Sequence, residues 1–138
     1  MQPNLQGEEK VKIAVSSTGN TLDSMVDSRF GRCPTFIIID TDTMEFQAYS
    51  NDAVSSAHGA GIGAAQGIAK LGAKAILTGQ VGPNAHMALR NAGVQMFVGA
   101  SGTIREAVEA YKKGVLKSVS SPTVQGHFGQ GGGRGRNR

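Results

Sequence analysis

Cysteine and tryptophan are almost missing from this sequence, which has one cysteine and no tryptophan among 138 residues. A single cysteine cannot form an internal disulfide, which is typical of a protein kept in a reducing compartment. No apolar run approaches the roughly 18 to 20 residues needed to cross a bilayer. The polar start also lacks the apolar segment of a signal peptide. We therefore expect a cytoplasmic protein with no membrane segment.

Acidic residues are missing from a long central stretch, because no Asp or Glu occurs between positions 53 and 105. Hydrolysis assisted by two metal ions requires several clustered carboxylates. Gly59, Gly61 and Ala64 fit the dinucleotide-binding pattern G-x-G-x-x-A, but no ribose-binding acid follows about 20 residues later. Both carboxylate-dependent catalysis and dinucleotide binding are therefore disfavoured, and we do not expect an enzyme.

The apolar pattern predicts a single α/β domain at residues 11–118. Three strand-like segments come first, and helices then alternate with short apolar strands. This order predicts an antiparallel meander followed by parallel strands, in a three-layer domain whose mixed sheet is flanked by helices. The expected strands lie at 11–17, 35–40, 44–50, 74–79 and 94–99, and the expected helices lie within 61–73, 82–93 and 102–114.

Both ends of the chain have few apolar residues. Residues 1–10 are expected to be a disordered extension, and residues 119–138 a disordered tail rich in glycine and arginine. The tail carries Arg134, Arg136 and Arg138, which supply most of the net charge of +4. The remaining domain is therefore close to neutral, and overall basicity says little about its partner.

The cysteine lies in a short basic loop, RFGRCP, in which Arg29 and Arg32 precede Cys33 within four residues. Nearby positive charge favours a thiolate over a thiol. The same charge attracts an anionic ligand. Backbone amides at two glycine-rich helix starts, near 59–63 and 82–85, would add to that attraction through the helix dipole.

Soft or borderline metal donors are few, and Cys33, His58 and His86 are the main ones. Thiolate and imidazole groups suit copper(I), iron and metal–sulfur species better than magnesium or calcium. None of these residues forms a C-x-x-C or H-x-x-x-H pair, so no closed structural zinc site is expected. Such a sparse donor set fits a preassembled cluster that is held at one or two positions.

Two long strings, RFGRCPTFIIID and HGAGIGAAQGIAKLGAKAILTGQVGPNAHMALRNAGVQMF, closely resemble the dinitrogenase iron–molybdenum cofactor biosynthesis family. That family includes the NifX and NafY carriers, the C-terminal part of NifB and the molybdenum–copper orange protein. The resemblance covers residues 11–118, and residues 30–32, 58–61 and 79–84 match family signatures. It implies a ribonuclease-H-like fold and transient binding of an iron–molybdenum or related metal–sulfur cluster without turnover.

The predicted site combines these residues. Donor and acceptor proteins for the cluster are the implied partners, and the modest core makes a homodimer plausible. The expected ligand contacts are Arg29, Arg32, Cys33, His58, Gly59, Gly61, Gly82 and Asn84, with Cys33, His58 and His86 as metal donors.

Other interpretations stay open on the residues alone. The Arg/Gly tail could follow nucleic-acid phosphates, although the domain lacks an aromatic platform for bases. Cys33 with His58 or His86 could form a small hydrolase, although no nucleophile elbow is present. In a purely structural interpretation, Cys33 is a buried hydrophobe, and the loop arginines pair with Asp23 or Asp27.

Overall fold

A computed structural model describes residues 11–52 and 59–119. They form a six-stranded mixed sheet with helices on both faces, as predicted. The predictions for His58 and for residues 1–10 and 120–138 lie outside these ranges. Among the residues described, no helix is long and apolar enough to span a membrane.

The sheet has the strand order β3-β2-β1-β4-β5-β6. Its first three strands form the predicted antiparallel meander, and β1, β4 and β5 run parallel to one another. The strands are β1 Lys12–Ser17, β2 Thr35–Asp40, β3 Phe46–Ser50, β4 Ala75–Leu77, β5 Gln95–Val98 and β6 Lys117–Ser118. The two-residue β6 was not predicted, because it is exposed and too short to show periodicity.

Helices α1 (Ala60–Lys70) and α2 (Pro83–Asn91) cover one face of the sheet, and α3 (Ile104–Lys112) covers the other. Every residue of β2 is buried, as its continuous apolar run predicts. Thr103 and Glu106 form a capping box at the start of α3, as their spacing of three residues in the sequence predicts. The three layers therefore follow from the sequence pattern.

One local prediction is wrong, and one apolar residue of α1 lies outside the core. Ile62, which shares helical spacing with Ala65 and Ile68, is 38% exposed, because α1 buries small residues such as Ala64 and Ala65. Strand β3 begins at Phe46 rather than at 44, because Met44 has a φ of 65° in the preceding turn. Small residues on the buried face of α1 allow the helix to lie close to its neighbours, whereas larger side chains would hold it away. This close approach determines the shape of the site.

Candidate functional site

Three segments meet at one end of the sheet: the loop after β1, the start of α1 and the start of α2. Gln80 donates its backbone N–H to Ser28 O at 2.9 Å, which joins the loop to the segment after β4. Ser16 Oγ is hydrogen-bonded to Asp27 O at 2.6 Å and to Thr78 Oγ1 at 2.8 Å. These bonds fix the loop at the carboxyl ends of parallel strands, where open α/β sheets bind ligands.

A cleft of about 390 Å³ lies between these three segments. Of the predicted ligand contacts that lie within the described ranges, it brings together all but Cys33. Gln80 also lines it and was missed, because a single neutral amide side chain between Gly79 and Val81 carries no distinctive chemical pattern. The lining residues are Arg29, Phe30, Gly31, Arg32, Gly59, Ala60, Gly61, Gln80, Gly82, Pro83, Asn84 and Ala85.

Glycines allow the three segments to approach one another closely. A Cβ added to Gly31 would lie 2.9 Å from the Cα of Gly61. A Cβ added to Gly61 would lie 2.9 Å from the Cβ of Ala85. Gly59, at the N-cap of α1, has a φ of 139°, a backbone conformation that residues other than glycine rarely adopt. Seven of the twelve lining residues are glycine, alanine or proline, so small residues bring the backbone of these segments close to the cleft.

The two helix starts that line the cleft carry no negative charge of their own. Neither α1 nor α2 has an acidic residue in its first turn or a side chain that caps its amides. By contrast, α3 has both, in Thr103 and Glu106. The positive ends of the α1 and α2 dipoles are therefore left available to an anion.

Arg29 is held by Asp27 through two side-chain hydrogen bonds. Its Nε donates to Oδ1 at 3.0 Å and its Nη2 donates to Oδ2 at 2.9 Å. The Asp27 side chain is 6% exposed, whereas that of Arg29 is 62% exposed. These hydrogen bonds lower the pKa of Asp27 and raise the pKa of Arg29. The predicted Asp27 pairing is correct, and Arg29 nonetheless lines the cleft.

Arg32 is exposed and lines the same cleft. Among residues 11–52 and 59–119, it makes no ion pair. Asp23, the other carboxylate considered for the loop arginines, lies 3.6 Å from Arg105 instead. Arg32 therefore contributes an uncompensated positive charge to the cleft.

Cys33 corrects the prediction of an accessible thiolate. Its side chain is fully buried in the core on the α1–α2 face, and it does not line the cleft. Burial raises the pKa of the thiol to about 12, despite the two nearby arginines. The structural interpretation of Cys33 is the correct one, because the exposed guanidinium groups of Arg29 and Arg32 are screened by solvent while the hydration lost by the buried sulfur is not regained.

Asn51 is a structural residue of the site that the sequence did not reveal. Its Nδ2 donates to Cys33 O at 2.8 Å and to Gly31 O at 3.2 Å. It thereby ties the end of β3 to the basic loop. An asparagine directly after a strand is a weak indication, since such residues usually only terminate strands.

His86 is buried in α2 and does not line the cleft, although Asn84 and Ala85 just before it do. Its Nε2 has no hydrogen-bond partner within the part of the chain that the structure describes. In that part, no group of three or more His, Cys, Asp and Glu side chains is arranged to hold a metal ion. A ligand in the cleft would thus meet guanidinium groups and backbone amides first.

A second depression, of about 620 Å³, lies at the opposite end of the sheet around the β2–β3 turn. Lys12, Asp40, Glu45 and Tyr49 are among its lining residues. Two carboxylates and a single cation make it a poor anion site, and no helix begins there.

Comparisons with known proteins agree with this picture. The sequence model of one family, described as dinitrogenase iron-molybdenum cofactor, matches residues 9–114. The apo orange protein from Desulfovibrio gigas is 38% identical with a TM-score of 0.81, covering 86% of this chain and 100% of its own. A Thermotoga protein designated NifB-like is 33% identical with a TM-score of 0.72, covering 83% and 97%. An uncharacterized Methanocaldococcus jannaschii protein is 28% identical over 78% of this chain and 90% of its own length.

Proposed function

This chain belongs to the dinitrogenase iron-molybdenum cofactor family, and on that premise we propose that it is a non-catalytic carrier of an anionic metal–sulfur cluster. The cluster is an iron–molybdenum species or a molybdenum- or iron-containing precursor of one. The carrier receives it from one protein and releases it to another. It therefore has to bind its cargo reversibly.

The observation that carries this proposal is the cleft itself. Two helix starts without acidic first turns converge on it, together with Arg29 and with Arg32, which has no ion-pair partner in the described part of the chain. Sulfide-rich clusters have net negative charge, and amides and guanidinium groups can hydrogen-bond their sulfur atoms without displacing any ligand from a metal. Such contacts suit a cargo that must leave again.

The lining residues favour binding over turnover. Among the residues that the structure describes, no side chain lining the cleft is a histidine, carboxylate or thiol. General acid–base catalysis near neutral pH needs a group of that kind within hydrogen-bonding reach of the reacting atoms. Asp27 stands just behind the cleft, but both its carboxylate oxygens are engaged by Arg29.

We assign the ligand contacts to Arg29, Arg32, Gly59, Gly61, Gly82 and Asn84. His86 is our proposed metal donor within the described part of the chain, because its buried Nε2 has no partner there. Ligation by His86 requires the imidazole to turn toward the cleft when the cluster binds. His58, next to Gly59 in sequence, is proposed as a second donor.

Anaerobic titration with tetrathiomolybdate tests the anion-binding step. Its sulfur-to-molybdenum charge-transfer absorption reports the environment of the anion, and equilibrium dialysis gives the Kd. We expect saturable binding to the wild type and about tenfold weaker binding to Arg32→Ala, equivalent to about 1.4 kcal/mol. Arg105→Ala, which removes the same charge from α3, should bind like the wild type. Equal weakening by both substitutions would show that only net charge matters and would contradict the assigned cleft.

A further inference from the structure

We infer that Asp27 is a positioning residue, which holds Arg29 so that the free edge of its guanidinium faces an anion in the cleft. This inference rests on the proposed function of the same cleft and adds the way in which one cation is prepared. It concerns a residue that does not line the cleft and that carries the wrong charge for an anion site.

The geometry of the pair determines which donors remain. Asp27 occupies the side of the guanidinium that carries Nε and Nη2, at 3.0 and 2.9 Å. A planar guanidinium has five N–H groups, and this arrangement uses two of them. The edge formed by Nη1 and Nη2 therefore keeps two parallel N–H groups, and no partner for them is found among the described residues. That edge matches two oxygen or sulfur atoms of a tetrahedral anion.

Asp27 is itself held firmly, so it can orient its partner. Its carbonyl oxygen accepts from Ser16 Oγ at 2.6 Å, and its N–H donates to Ser16 O at 2.9 Å. Its Oδ1 also accepts from the backbone N–H of Arg29 at 2.9 Å. The exposed Arg29 side chain is thus anchored to the end of β1. An arginine fixed in this way loses less conformational entropy when it binds an anion.

Arg29 and Arg32 differ in this respect. Arg32 is exposed, has no carboxylate partner among the residues described and contributes a positive charge that no such pair orients. The charge of Arg29 is largely neutralised by Asp27, so Arg29 contributes oriented N–H donors to the cleft more than it contributes net positive charge. The oriented guanidinium of Arg29 can select a tetrahedral oxo- or thio-anion by shape. Arg32 adds positive charge without a fixed geometry, so the cleft can still release the anion.

The substitution Asp27→Asn distinguishes the role of Asp27 in orienting the Arg29 guanidinium from the effect of its negative charge on anion binding. The Asn Oδ1 can still accept from the backbone N–H of Arg29 and keep the turn, but its amide group cannot accept from Nη2. Removing a nearby negative charge should strengthen anion binding if only through-space charge matters. We expect tetrathiomolybdate to bind about fivefold to tenfold more weakly instead, in the range expected for an unclamped side chain. Stronger or unchanged binding overturns the inference.

Arg29→Lys gives a second test that does not depend on the stability of the Asp27 variant. The side chain is exposed, so the substitution should not disturb folding, and it keeps the charge but removes the fork. We expect Arg29→Lys to bind as weakly as Arg29→Ala, and Asp27→Asn to cause no further loss in the Arg29→Ala background. Wild-type affinity in Arg29→Lys overturns the inference.

The NMR signal of the Arg29 side chain provides a readout that a merely structural role would not change. We expect the Nε–Hε signal of Arg29 to be observable and shifted in the wild type, to shift again with tetrathiomolybdate, and to lose both effects in Asp27→Asn. A wild type that binds no tetrathiomolybdate would overturn the proposed anion binding and this inference together. A wild type that binds it, with Arg29 unperturbed, would overturn this inference alone.

Discussion

The thiol of Cys33 donates to the carbonyl oxygen of Phe30 with an Sγ–O distance of 3.3 Å, inside the core. This bond turns the sulfur away from the cleft that Phe30 itself lines. Arg29 and Arg32, which both precede Cys33, remain at the surface. The basic loop thus presents its cations to solvent and uses its cysteine for packing.

Cys33 is therefore expected to be unreactive in the folded protein. A buried, protonated thiol should react with a disulfide reagent at pH 8 at least about 100-fold more slowly than in denaturant. Cys33→Ala should retain tetrathiomolybdate binding within about twofold. Rapid modification of the native thiol, or loss of tetrathiomolybdate binding in Cys33→Ala, would contradict this account and indicate that Cys33 is a ligand.

The buried thiol also makes stability depend on alkaline pH. Its folded pKa of about 12 lies above the ordinary value of 9.0, so the folded state favours the protonated form. Its contribution is fully present below about pH 9 and is lost as pH rises toward 12, because the unfolded thiol ionises first. The difference in unfolding free energy between wild type and Cys33→Ala should fall by about 1 kcal/mol between roughly pH 8 and pH 10. A constant difference would contradict the burial of the thiol.

Gly61→Ala and Gly67→Ala form a matched pair within α1. At Gly67 a new Cβ would meet nothing within 4 Å, so higher helix propensity should raise the unfolding free energy by about 0.5 to 1 kcal/mol. At Gly61 a new Cβ would lie 2.9 Å from the Cβ of Ala85, and this overpacking should lower the unfolding free energy by about 1 kcal/mol. Gly61→Ala should also weaken tetrathiomolybdate binding, as measured by dialysis. Equal effects at both positions would show that the α1–α2 contact is not tight.

His86→Leu tests the proposed metal donor. The substitution removes a buried nitrogen that has no partner among the described residues, so stability should change by less than about 1 kcal/mol. The molybdenum of tetrathiomolybdate is fully coordinated by sulfur, so binding of that anion should persist. An iron–sulfur cluster with exchangeable positions on iron should be retained less well, as measured by iron content after anaerobic gel filtration. Undiminished iron retention would exclude His86 as a ligand.

Much of the fold could be predicted because local patterns and tertiary packing agree. The capping box of α3 and the apolar run of β2 each determine their element without distant contacts. The meeting of the basic loop with two helix starts also follows, because all three lie at one end of the sheet. Charge and glycine spacing therefore indicated the cleft residues well.

The direction of individual side chains could not be predicted in the same way. Charge beside Cys33 gave no indication that its sulfur points into the core, because the chain turns at residues 30–32 and the direction of each side chain there depends on that turn. Likewise, the helical spacing of Ile62 could not reveal that α1 packs through glycine and alanine. The clamp between Asp27 and Arg29 depends on the turn at residue 28, whose geometry the sequence indicates only weakly.

NMR mapping of the backbone amides during anaerobic addition of tetrathiomolybdate tests the central claim most directly. If the cleft holds the anion, the largest shifts should fall on Gly59, Gly61 and Gly82 and on the loop from Arg29 to Arg32, and they should saturate together. Shifts confined to the depression around Glu45 and Tyr49, or no saturable shifts at all, would contradict the account.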